Sequence, residues 1–161
     1  MIRYFVVALL VFATYIAFAG SISIYTVLTG VLLSAIMSAI SAKYIVKDER
    51  KVRDIRRFIY LFYYFVKYMS VIEVRAHLDV VKRIFTMDIK PGIVKIPVRV
   101  NSRYARLLVM GSITNTPGTV VVDEKDGYFY VNWINVITEE LELARKHISE
   151  EFEYYAYKIF E

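Results

Sequence analysis

Carboxylates, imidazoles and ammonium groups within a membrane-length apolar run are the groups that relay protons or coordinate cations. Between Tyr4 and Ala42, 39 residues, this chain has none of them. Ion movement through that segment by its own side chains is therefore not expected, and any transport chemistry would belong to partner chains. The other candidates are few. His77 and His147 lie far apart in sequence. Neither has a second histidine or a cysteine three or four positions on, so each reads as a surface histidine and not as a metal ligand. Asp123, Glu124 and Asp126 crowd around a Lys125-Asp126-Gly127 turn without the spacing of a calcium loop, which reads as a solvated hairpin turn. Ser112 and Thr114 have no nearby histidine to activate them. The chain has no cysteine, which excludes disulfides, thiolate catalysis and iron–sulfur ligation by its own residues. The residues imply no enzyme, no cofactor and no resident metal.

The uncharged run itself determines the broad class. At 1.5 Å per residue a helix of that length reaches about 58 Å, nearly twice a hydrocarbon core of about 30 Å. One crossing cannot use it, whereas a hairpin of two can, with spans at 4–19 and 24–42 and a turn around Gly20, Ser21 and Ser23. Arg3, the apolar run and Ala17-Phe18-Ala19 also resemble a secretory signal. A second apolar span follows at once, so a signal anchor is the expectation. Lys43, Lys47, Arg50, Lys51, Arg53, Arg56 and Arg57 come next, and the positive-inside rule makes that segment cytoplasmic. Two spans then put both termini and the C-terminal domain in the cytoplasm and leave the uncharged turn outside. Along the second span Gly30, Ser34, Ser38 and Ala42 recur every four residues, with Ala35 and Ala39 beside them. Small residues at that spacing form a helix-packing interface. It serves either the first span, whose Ala13 and Ala17 share the spacing, or another subunit.

Residues 43–86 are expected to hold the basic segment and an amphipathic surface helix. Ile55, Phe58, Ile59, Phe62, Phe65, Val66, Met69 and Ile72 recur at helical spacing, continued by Val74, Leu78, Val81 and Phe85. Lys67, Arg75, Asp79, Lys82 and Arg83 interrupt what would otherwise be a span. Tyr60, Tyr63, Tyr64 and Tyr68 give a phenolic face suited to the headgroup layer. A third crossing over 58–72 is the alternative.

Residues 87–161 read as a small α+β cytoplasmic domain in the order β-α-β-β-α. Val94, Ile96, Val98 and Val100 alternate with Lys95, Pro97 and Arg99 as one strand, and Pro97 favours a sheet edge. Asn101 or Ser102 caps a short helix. Thr116-Pro117-Gly118-Thr119 turns the chain into a strand over 119–122, and a hairpin returns over 128–134. Thr138 is expected to cap a final helix with Glu139 and Glu140 in its first turn. Its buried stripe is Leu141, Ala144, Ile148, Phe152, Tyr155 and Ile159.

The net charge of +5 is unevenly shared. Residues 1–84 carry twelve basic and five acidic side chains, and residues 85–161 carry nine and eleven. The basicity belongs to the membrane-proximal half, where anionic lipids are the partner. No nucleic-acid partner is expected, since that would place the basic stripe on the folded domain. Absence of Gln with abundant Tyr, Ile, Lys, Arg and Glu suits a thermophile.

From Ser112 the residues Ser-Ile-Thr-Asn-Thr-Pro-Gly-Thr, followed by Val120-Val121-Val122-Asp123, resemble the signature of the E-type subunit of the multisubunit Mrp-type Na+/H+ antiporters, roughly S-I-T-L-T-P-G-T and a V-V-D strand. Lys90-Pro91-Gly92-Ile93-Val94 resembles that family's K/R-P-G-I-V, and Tyr130-Val131-Asn132-Trp133-Ile134-Asn135-Val136 is similar to its Y-V-H-W-I-D-V. The closing Glu150-Glu151-Phe152-Glu153 fits as well. Asn115, Asn132 and Asn135 depart from the usual Leu, His and Asp. Because Asn does not titrate, protonation chemistry at the last two positions is not open to this chain. The resemblance implies an integral, non-catalytic subunit of a cation/proton antiporter module, with the other antiporter subunits as partners. It implies equally the related archaeal membrane-bound hydrogenase and sulfur-reducing complexes, where such a subunit belongs to the sodium-translocating arm. A direct role of the acidic hairpin in gathering cations, and an independent membrane-anchored binding module, are the competing readings.

Overall fold

The structure is a computed structural model describing residues 1–161. It divides into two compact units, Met1–Ile55 and Arg56–Glu161. The division falls neither at 42/43 nor at 86/87, because the segment after residue 55 packs into the α+β core and the basic segment before it packs on the hairpin.

In the first unit α1 (Ile2–Ala19) and α2 (Ile24–Ile45) form an antiparallel pair. Both are apolar and long enough to cross a membrane. α1 ends on Gly20 in the left-handed region at φ 60. Ser23 then starts α2, accepting the Thr26 N–H on its hydroxyl at 3.2 Å. Uncharged caps suit an end that carries no ionic side chain. The helices run to Ile2 and Ile45, beyond the expected limits at 4 and 42, because Arg3 and Lys43 continue the helical backbone at ends where they reach polar surroundings. A five-residue helix α3 (Glu49–Arg53) follows, capped by Asp48, whose carboxylate accepts the Arg50 N–H at 2.9 Å.

The second unit opens with α4 (Ile55–Lys67), a π-helical turn (Tyr68–Ile72) and α5 (Glu73–Thr86). The inward positions 60, 64, 68, 72, 76 and 80 recur every four residues and are buried or half-buried. A straight α-helix rotates such a row by about 40° per step, and the extra residue of a π turn resets it. Tyr64 and Tyr68 thereby both reach the core, while Phe58, Phe62, Phe65, Met69, Leu78, Val81 and Phe85 stay exposed along the opposite side.

The sheet is antiparallel, in the order β1-β3-β2, with β1 Gly92–Pro97, β2 Thr119–Lys125 and β3 Tyr128–Trp133. β1 stops at Pro97, short of the alternation through Val100, because a proline has no N–H to continue the ladder. β2 runs three residues beyond Val122, since the tight Asp126-Gly127 turn, both residues at positive φ, keeps the hairpin paired to its tip. One face, with Val94, Ile96, Phe129 and Val131 essentially inaccessible, is covered by helices. These are α6 (Arg103–Asn115), α7 (Leu141–Ile148) and α8 (Glu150–Phe160).

Three further details differ from the sequence expectation. The single final helix is two, broken at Ser149, whose fully buried side chain meets Glu153. Thr138 does not cap it: its hydroxyl takes the Glu140 N–H at 3.2 Å and the helix begins at Leu141. Ser102 precedes α6 but caps it with no side-chain bond. Instead the Glu161 carboxylate accepts the Asn101 and Ser102 N–H groups, an option that only the folded chain brings within reach.

Candidate functional site

The small-residue ridge of α2 is turned onto α1. Thr26, Gly30, Ser34, Ser38 and Ala42 are the buried residues of α2. Phe12 and Tyr15 stand over Gly30, the Tyr15 hydroxyl bonds Thr29 Oγ1 at 2.9 Å, and Ser38 donates to the Tyr4 carbonyl at 2.6 Å. Three further hydroxyls close on their own helices: Thr14 to Leu10, Ser34 to Val31 and Ser41 to Met37. The serine and threonine hydroxyls of the hairpin are thus satisfied inside it, the arrangement a lipid environment demands. Its outer faces, with Phe5, Leu9, Leu10, Leu28, Leu32 and Ile36, are exposed and apolar.

In the second unit Thr116-Pro117-Gly118-Thr119 closes α6. The hydroxyls of Thr116 and Thr119 donate to the carbonyls of Ser112 and Ile113, each at 2.7 Å, satisfying acceptors left open at a helix C-terminus. Gly118 takes φ 96, and its carbonyl receives the Ile134 N–H at 2.9 Å. The turn is a structural latch between helix and sheet, with no reactive group exposed on it.

Beside the latch lies a polar cluster that the helical spacing did not single out. Tyr64 hydrogen-bonds the Ser112 hydroxyl, Tyr68 reaches the Ser112 carbonyl at 3.3 Å and Thr116 Oγ1 at 3.2 Å, and Asn115 donates to the Tyr68 hydroxyl at 3.2 Å. Burial raises the Tyr64 phenol well above its ordinary range, against the opposing bond from Ser112. Burial also raises Tyr68. The cluster floors a groove of about 410 Å³ walled by Tyr104, Leu107 and Phe160. Its signal in the sequence was Asn115, the departure from the usual Leu, which supplies an amide to the phenols.

The second missed feature is ionic. Glu153, 5% exposed, bonds Arg145 at 2.7 Å and Ser149 at 3.2 Å. Arg145 also holds Glu142 at 2.9 Å and Glu150 at 3.2 Å, and Arg99 pairs with Glu142. Hydrogen bonds from Arg145 and Arg99 keep the Glu142 carboxyl below its usual range. Lys67 ties α4 to α8 through Glu151 at 2.5 Å.

The acidic hairpin does not converge. The register shifts between Val121 and Asp123, and a one-residue shift exchanges the faces. Glu124 falls opposite Phe129 on the helix side, where Arg106 meets it at 2.7 Å, while Asp123 falls opposite Tyr130 on the open side. No three acidic or histidine residues are placed to hold a metal ion. His77 bonds back to its own helix at the Glu73 carbonyl, and His147 lies by the ring of Trp133. The ridge belongs to the first unit and the latch to the second, and neither contains an arrangement for acid–base or nucleophilic chemistry.

Comparison with known proteins identifies the family. Residues 8–159 match the family described as an Na+/H+ ion antiporter subunit, MNHE. A curated relative, the E-type Na(+)/H(+) antiporter subunit of Alkalihalophilus pseudofirmus, is 29% identical over 99 residues, covering 53% of this chain and 63% of that protein. Among solved structures, a chain of the membrane-bound sulfane sulfur reductase, an archaeal respiratory membrane complex, superposes with a TM-score of 0.82 at 25% identity, covering 98% of this chain and 99% of that one. With the match running from the first helix to the last, the chain belongs to the MNHE family of Na+/H+ antiporter subunits.

Proposed function

We propose that this chain is an accessory, non-catalytic subunit of a multisubunit monovalent cation/proton antiporter module, holding neighbouring subunits in place while those subunits carry the ions. The observation that carries this reading is the hairpin. From Tyr4 to Ala42 it has no carboxylate, ammonium or imidazole, and its serine and threonine hydroxyls are engaged within it. Nothing is left to bind or relay an ion, yet its outer faces are apolar and available to lipid and to other helices. Gly30, Ser34, Ser38 and Ala42 act as the seam of the hairpin, so contact with other subunits falls to those outer faces and to the α+β unit.

The hairpin crosses the membrane twice with both termini in the cytoplasm. The basic residues following α2 support that orientation, as does the pairing of Arg3 with Glu49 at one end of the hairpin. α4 and α5 lie in the cytoplasmic interface, a reading supported by their exposed apolar row opposite a buried tyrosine row. The α+β unit is then cytoplasmic. Single cysteines placed at Ser21 and Asp126 test this directly in a chain with none of its own. Labelling of residue 126 from the outside would refute the topology.

A second setting is favoured by the structural similarity over nearly the whole chain to a subunit of an archaeal respiratory membrane complex: the same accessory role within a sodium-translocating arm. Mass spectrometry of the intact assembly purified in mild detergent separates the two. Antiporter-like subunits without metal-binding chains indicate a stand-alone antiporter, and additional nickel–iron or iron–sulfur chains indicate the respiratory setting. Purification as a lone monomer would overturn both in favour of an independent anchor.

A further inference from the structure

We propose that the base of the hairpin is a preorganised binding site for the headgroups of anionic phospholipids, formed by Lys43, Lys47, Arg50 and Arg53. The inference rests on reading α1 and α2 as membrane spans. The site is built by α3, whose sequence Glu49-Arg50-Lys51-Val52-Arg53 has one apolar position. Val52 packs against the cluster of Val7, Ala42 and Val46, which joins the start of α1 to the end of α2. Glu49 lies three residues earlier, on the same side of the helix, and accepts a hydrogen bond from Arg3. With positions 49 and 52 held to the hairpin, positions 50 and 51 face away and position 53, one turn after Glu49, lies at the flank of the docked face; all three are exposed.

Asp48, Glu49 and Asp54 flank this row, and all three have partners within the chain. The Arg3 hydrogen bond holds the Glu49 carboxyl below the usual carboxylate range, and the Asp48 carboxylate is engaged by the α3 backbone. Lys43, Lys47, Arg50 and Arg53 are exposed and make no ion pair within the chain. They begin where the 22 apolar-rich residues of α2 end, at the depth where phosphates start. Charge complementarity and that position select a lipid phosphate as the occupant. Clustered Lys and Arg just beyond a span gain about 1 kcal/mol each near an anionic surface, about fivefold in affinity per cation at low salt.

The test uses the full chain in a mild neutral detergent, offered equal amounts of phosphatidylglycerol and phosphatidylcholine. Lipid retained through gel filtration is then measured by mass spectrometry. Enrichment of phosphatidylglycerol by at least about tenfold at low salt is expected, collapsing at high salt. The triple variant Lys47→Gln, Arg50→Gln, Arg53→Gln, eluting as the same monodisperse species, is expected to approach parity. Retained enrichment in that variant would overturn the proposal. Val52→Ser keeps every charge while undocking α3 and is expected to lower enrichment several-fold. No change there would overturn the preorganised geometry. Partner subunits are counted in the same spectra of the intact assembly. A triple variant that keeps its lipid but loses a neighbouring subunit would overturn the lipid site in favour of an acidic protein segment. Absence of all partners from the wild-type assembly would instead refute the accessory-subunit reading and leave the lipid result standing.

Discussion

Tyr15 and Gly30 meet across the hairpin so closely that a Cβ on Gly30 would stand 2.8 Å from the Tyr15 ring carbon Cδ1. The ring cannot simply swing away, because its hydroxyl is tied to Thr29 at 2.9 Å, and Phe12 Cε2 would stand only 3.1 Å from the same Cβ. Gly30→Ala is therefore expected to destabilise the hairpin by roughly 1–3 kcal/mol, the range for overpacking a filled interface. It would be measured as a lower temperature for loss of the monodisperse gel-filtration peak of the full chain in detergent. The double variant Gly30→Ala, Tyr15→Ala should lose less than the sum of the two singles, because they share one contact.

Two glycines of the second unit should respond in opposite directions. Gly118 sits at φ 96 with Ile134 Cγ2 at 3.0 Å from a would-be Cβ, whereas Gly111, inside α6, has open space around that position. Gly118→Ala is expected to cost on the order of 1–2 kcal/mol through the left-handed backbone, and Gly111→Ala to add about 0.5–1 kcal/mol. Denaturant melts followed by the fluorescence of Trp133, the sole tryptophan, would show both. A stabilising Gly118→Ala would refute the latch geometry.

The raised Tyr64 and Tyr68 phenols make the second unit sensitive to alkali. A folded-state pKa above the unfolded value of about 10 contributes stability that is fully present below pH 10 in the sense that the neutral phenol is the form both states hold there. On the alkaline side the unfolded chain ionises first, so stability falls as pH rises from about 10 toward the folded value. Tyr64→Phe should blunt that alkaline loss while leaving the neutral-pH melt lowered only by the missing Ser112 bond, about 1 kcal/mol. Spectrophotometric titration at the tyrosinate band would show one late-ionising phenol fewer. An unchanged alkaline midpoint would count against the buried Tyr64–Ser112 pair.

Arg145→Met strands Glu153, 5% exposed, with only Ser149 and the Arg99 N–H as neighbours. A loss of roughly 3–5 kcal/mol is expected, as for breaking one side of a buried pair. Arg99→Gln, on the exposed Glu142 side of the network, should cost no more than about 1 kcal/mol. Equal effects in chemical melts would mean that Glu153 is not held as a buried charge.

Neutralising the hairpin acids tests the competing transport role. Asp123→Asn and Asp126→Asn should leave the apparent Na+ affinity of the assembled antiporter unchanged in a vesicle assay, because Asp123 faces away from Glu124, Arg106 engages Glu124, and no three acids converge there. A several-fold weaker affinity with assembly intact would favour direct cation gathering.

Much of this protein was legible in its sequence because the deciding quantities are local. An uncharged run too long for one span, a basic segment behind it, alternation in β1 and the Pro-Gly turn each depend on neighbours within a few residues. Three further choices were made by the tertiary structure. The ridge of Gly30, Ser34, Ser38 and Ala42 has the same spacing whichever helix covers it, and only the folded hairpin assigns it to α1. The tyrosine row from Tyr60 to Tyr68 is as compatible with a headgroup layer as with a core. The π turn and the Ser112 hydroxyl draw Tyr64 and Tyr68 inward. The acids of Asp123 to Asp126 look like one cluster in the chain; strand alternation separates Asp123 from Glu124, and a single shifted residue in β2 decides that Glu124 takes the helix side. Helical and strand periodicities specify which residues share a face; which surface meets that face is decided by contacts between residues distant in sequence.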